Sequence, residues 1–73
     1  MSNVHYRQVQ AGGPGWQKKV EAHAAEGCPF SVSPFQKQLH WTFLEDVCQR
    51  YGLVARFDAR ERAAYFVPSA EPA

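Results

Sequence analysis

The sequence predicts an α+β fold in which two helices pack on one face of a small, mainly antiparallel sheet of three or four strands. Two stretches carry helical periodicity, Trp16-Val20-Ala24 and Phe35-Leu39-Phe43-Val47-Tyr51. The segments between and after them alternate as strands do, and the last of these reads as a hairpin. With 73 residues there is room for one core only. The five Phe, three Tyr and two Trp compensate for the short length by burying a large area each.

Residues 1–14 are expected to form a flexible N-terminal arm, because the breaker run Ala11-Gly12-Gly13-Pro14-Gly15 separates them from the first periodic stretch. Within the arm Val4 and Tyr6 alternate with His5 and Arg7, a pattern competent to pair with an exposed sheet edge. Trp16, Val20 and Ala24 then mark one side of a short helix over Gly15 to Glu26, with Gly27 as its left-handed stop. Cys28, Phe30 and Val32 alternate with Pro29 and Ser31, and the proline suggests a strand at the sheet edge.

Ser33-Pro34-Phe35-Gln36 has the composition of a capping box, with Ser33 at the N-cap, Pro34 at the first helical position and Gln36 reaching back. The helix it opens should run to Tyr51 and end at Gly52, with Leu53 placed for a Schellman contact. Its apolar arc, widened by Leu44 and Cys48, exceeds the stripe needed to cap one side of a core, so part of it requires a second neighbour. His40 falls inside that arc as a packing residue and Trp41 on its flank. After Gly52, residues Leu53 to Asp58 and Ala63 to Val67 read as paired strands around the turn Asp58-Ala59-Arg60-Glu61. The single domain therefore spans residues 15–68, and Ser69 to Ala73 are expected to be a disordered tail.

Composition narrows the function classes. A net charge of +1 falls short of the strongly basic balance of a dedicated nucleic-acid domain, so any such contact must be local. No apolar run approaches a membrane span, and MSNVHYRQVQ lacks the regions of a secretory signal, so a cytoplasmic, membrane-independent monomer is expected. Cys28 and Cys48 are too few for a disulfide framework and read as small buried hydrophobes.

No catalytic set is legible. His23 and Cys28 are loosely spaced and no second ligand pair follows, so no metal and no other cofactor is expected. A nucleophile with an oriented base is missing, and Gly12-Gly13-Pro14-Gly15 lacks the lysine of a phosphate loop. The expectation is a binding domain rather than an enzyme. The arm residues Val4, His5, Tyr6 and Arg7 are the candidates for protein binding. Lys18, Lys19, Arg56 and Arg60, interleaved with aromatics near the hairpin, are the candidates for an acidic partner or a nucleic acid.

Two resemblances add to this reading. From Phe30 to Val67, the order extended segment, helix, Tyr51-Gly52-Leu53 and hairpin resembles the nucleic-acid-binding domain named for its Arg-x-x-x-His motif. With the Gly-Leu step aligned, the motif positions hold Trp41 and Glu45, so the likeness is one of architecture. The whole chain, in its length, its MSNVHYRQVQ arm and its near-neutral charge, resembles the small RNA-polymerase-binding transcription regulators of lytic Xanthomonas bacteriophages. That resemblance implies a partner in host bacterial RNA polymerase, contacted at the N-terminal region of its β′ subunit. It also implies inhibition of initiation, antitermination, a position near nascent RNA and action in the host cytoplasm.

Overall fold

Four strands and two helices alternate along the chain in a computed structural model that describes residues 5–69. Their order is β1 (Arg7–Gln10), α1 (Trp16–Glu26), β2 (Phe30–Ser33), α2 (Lys37–Tyr51), β3 (Leu53–Asp58) and β4 (Ala63–Pro68). The strands form one sheet in the order β1-β2-β4-β3, with β1 parallel to β2 and the other two pairings antiparallel. The fold is therefore α+β with a mixed, mainly antiparallel sheet, as the sequence predicts.

Both helices are crossovers between parallel strands, α1 from β1 to β2 and α2 from β2 to β3. The two connections run in the same sense across the sheet, and a shared hand places both helices on one face. One cluster holds Val20 and Ala24 of α1, Leu44 and Val47 of α2, and the strand residues Val9, Phe30, Val32, Ala64 and Phe66. At its centre Phe30 and Phe66, partners in the β2–β4 ladder, stack with ring centroids 4.9 Å apart.

The first helix ends as expected. Gly27 adopts φ 75°, its N–H donates to the Ala24 carbonyl and the Cys28 N–H to the His23 carbonyl, which is the bond pair of a Schellman motif. At Gly52 (φ 66°) only the Cys48 carbonyl receives the cap N–H, so α2 closes with the simpler left-handed cap rather than a Schellman pair.

Four further expectations change. The arm is shorter than residues 1–14: Arg7–Gln10 belongs to the sheet, Val9 is 2 % exposed in the core, and the Arg7 and Ala11 N–H groups donate to the carbonyls of Pro29 and Ser33. Val4 lies outside the described residues. The second strand is interior, not an edge, because Pro29 falls just before it and serves only as an acceptor. Helix α2 starts at Lys37, and its N-cap is Gln36 in an extended conformation with no side-chain cap from Ser33.

The reason for that delay is competition for backbone groups: Ser33 ends β2, and the Phe35 N–H is bonded at 2.7 Å to the Arg62 carbonyl of the hairpin. His40 takes over the capping role, its Nδ1 accepting the Gln36 N–H at 3.2 Å while the ring meets Trp16 edge-on. Finally, Ser69 is tied down by its N–H to the Gly52 carbonyl; the rest of the expected tail lies outside the described residues.

The wide apolar arc of α2 is divided. Phe43 turns to α1, where it meets Trp16 at 5.4 Å, and the Arg50 guanidinium bridges Glu21 of α1 and Asp46 of its own helix. Trp41 turns to the other flank and packs edge-on against Phe57 of β3. Leu39 is not covered by any of the described residues and is 71 % exposed.

Candidate macromolecule-binding surfaces

With the helices on one side, the alternation of side chains sends Gln8, Gln10, Ser31, Tyr65, Val67, Val54 and Arg56 to the open face of the sheet. Along one row Gln8, Ser31, Tyr65 and Arg56 are successive ladder partners. Tyr6, two residues before Gln8, meets Tyr65 edge-on with centroids 5.0 Å apart. These residues flank β2 on either side, so their rings lean inwards over it, and Ser31 is only 4 % exposed despite facing outwards. The Tyr65 hydroxyl donates to Glu61, a bond that raises its pKa above the ordinary tyrosine value.

Among the described residues, both sheet edges carry unpaired backbone groups. In β1 the bonds of Arg7 and Ala11 to the β2 side place Arg7 and Val9 inwards, so Gln8 faces out with its N–H and C=O. The Gln10 carbonyl on that edge already accepts the Gly13 N–H. In β3 the Ser69 to Gly52 bond at 2.8 Å, carried along the antiparallel register, bonds Val54, Arg56 and Asp58 to β4. The backbone groups of Leu53, Ala55 and Phe57 therefore point to the open edge.

A groove of about 380 Å³ lies at the hairpin end of β3, lined by Phe35, Lys37, Phe57, Asp58, Arg62 and their neighbours. Phe57, 50 % exposed, stacks on Phe35 at 5.2 Å and meets Trp41 at 5.1 Å. The Asp58 carboxylate at its rim is held in the turn, where Oδ1 accepts the N–H groups of Arg60 and Glu61.

The candidate residues are dispersed over this frame. His5 is exposed just before β1, Tyr6 is half-buried against Tyr65, and Arg7 is exposed at the start of β1. Lys18 and Lys19 are exposed on α1, in the helical layer, whereas Arg56 is on the opposite face of the sheet and Arg60 is in the hairpin turn. The four cations do not form one patch, because the sheet separates the first two from Arg56. Phe35 and Lys37 carry no surface signal in the sequence, whereas Arg62 belongs with the hairpin arginines and Trp41 marks the margin of the α2 arc beside the groove.

Cys28 and Cys48 are both free and half-buried, and burial together with nearby Glu45 pushes the Cys48 thiol pKa up, away from a reactive thiolate. Among the described residues no group of three metal-ligating side chains converges, and no helix is long and apolar enough to cross a membrane. No protein-family model, curated protein or solved structure matches the chain.

Proposed function

We propose that this chain is a phage-encoded regulator that binds host bacterial RNA polymerase stoichiometrically, inhibiting initiation and promoting read-through of terminators. The whole-chain resemblance of the sequence supplies the partner. The observation that carries the binding mode is the β1 edge, where a strand paired on one side only turns the Gln8 amide and carbonyl outwards next to His5, Tyr6 and Arg7. A polymerase segment, with the N-terminal region of β′ as the candidate, adds to this edge as a further strand. Lys18 and Lys19 are available to acidic polymerase side chains from the helical side, and Arg56 and Arg60 to emerging RNA from the other.

The test is titration of Xanthomonas core polymerase with the full chain and with Arg7→Glu, read by co-elution and by run-off transcription. Arg7 is exposed, so its reversal leaves the fold intact. Weaker binding and relief of inhibition are expected; full binding by Arg7→Glu overturns the β1 assignment, and no co-elution of the unaltered chain overturns the polymerase reading.

A second reading has its own observation. Tyr6, Tyr65, Gln8 and Arg56 place stackable rings, amides and a cation on an uncovered sheet face, an arrangement suited to single-stranded nucleic acid. It predicts anisotropy changes of a labelled single strand at low salt that fall with added salt and with Tyr65→Ala. Absence of binding at low salt eliminates it.

A further inference from the structure

The outer edge of β3 and the groove beside it form a surface that the polymerase reading does not use. Edge strands are normally blunted by proline, lysine, a bulge or short length. β3 is six residues long, contains neither proline nor lysine, and exposes Val54 and Phe57 at about half their surface. Its outward backbone groups belong to Leu53, Ala55 and Phe57, whose side chains all lie on the helical side of the sheet. Helix α2 runs beside that edge and contributes Trp41, with Lys37 one turn before it. Strand edge, aromatic wall and cationic rim thus meet along one line.

We infer that this line is a strand-addition groove for an extended segment of a partner protein, one carrying a bulky apolar side chain flanked by carboxylates. The backbone of the guest pairs with Ala55 and Phe57, and its apolar side chain fills the space beside Phe35 and Phe57. Charge complementarity selects the flanking residues. Lys37 and Arg62 line the groove without an ion pair among the described residues, while the only lining acid, Asp58, is engaged by two backbone N–H groups. A nucleic acid would satisfy the cations, but it leaves the N–H and C=O row of β3 unpaired, and this favours a polypeptide.

The experiment is selection of random linear peptides against the full chain, synthesis of the enriched sequences, and titration followed by backbone amide shifts. Polymerase is absent from it, so its result is separable from the reading above. Enriched peptides should alternate acidic and apolar residues, shift the amides of Ala55 and Phe57, and lose about tenfold or more in affinity with Phe57→Ser.

The decisive variant is Ala55→Pro, which removes an N–H that faces the open edge and leaves the β3–β4 bonds in place. With an unchanged circular dichroism spectrum it should abolish binding, and Lys37→Glu should weaken acidic peptides about fivefold. The proposal is overturned if no peptide enriches or if the peptides map to β1 or the open face. Retained affinity in Ala55→Pro, or a dimer in sedimentation that Ala55→Pro dissociates, overturns it equally.

Discussion

Replacing Val9 by alanine asks whether the N-terminal segment is a strand of the fold or an appendage to it. Val9 is 2 % exposed and belongs to the same cluster as Val32, its ladder partner, and Val20. The substitution removes two carbon groups, at about 0.8 kcal/mol each by transfer, and leaves a small cavity that raises the cost to about 2 kcal/mol. A domain of this length has roughly 4–11 kcal/mol of stability in total, so the loss is a substantial fraction of it. The midpoint of thermal unfolding should fall by about 8–16 °C. Urea titration followed by the fluorescence of Trp16 and Trp41 measures the free-energy loss itself, with an unchanged slope as the sign that only stability moved. Gln8→Ala, one residue away and exposed, serves as the control and should shift stability by less than about 0.5 kcal/mol. Equal midpoints for the two variants would refute the placement of β1 in the core. Deleting residues 1–10 is therefore not a neutral way to remove an arm, because it takes Val9 with it.

Gly52→Ala should cost about 1–2 kcal/mol in the same assay, since nothing obstructs the added carbon and only the left-handed backbone (φ 66°) opposes it. His23→Phe should be neutral or stabilising, because it removes a buried Nδ1 that has no hydrogen-bond partner among the described residues while retaining a ring beside Phe30; a loss above about 1 kcal/mol would show that the nitrogen has a partner. The bond from Tyr65 to Glu61 favours the neutral phenol, so its contribution to stability is present below the ordinary tyrosine pKa and is lost as pH rises through the elevated one. Ultraviolet titration should place one tyrosine above the free value, and Glu61→Gln should bring it down. In a Cys28→Ser background, Cys48 should react with a disulfide reagent more slowly at neutral pH than a cysteine in an unstructured peptide, in keeping with its raised pKa.

The α+β class, the two helices and the hairpin are legible in the residues alone, because each follows from a local period or a local stop: Val20 and Ala24 at i+4, the αL glycines Gly27 and Gly52, and the alternation from Leu53 to Val67. Only the tertiary structure decided where Arg7–Gln10 would go, since a four-residue polar strand with one buried valine has no pattern of its own and becomes a strand by pairing with β2. The same competition moved the start of α2 from Pro34 to Lys37: the hairpin carbonyl of Arg62 claimed the Phe35 amide, and His40 Nδ1 took the Gln36 amide that a capping box would have used. Sites lay furthest from the sequence. Lys18 and Arg56 look alike in composition but are separated by the sheet, whereas Phe35, Trp41 and Phe57, up to 22 positions apart, form one aromatic cluster beside the groove. Local periodicity dictates which face of an element is apolar; which elements meet, and which backbone edge remains unpaired, depends on contacts made across the whole chain.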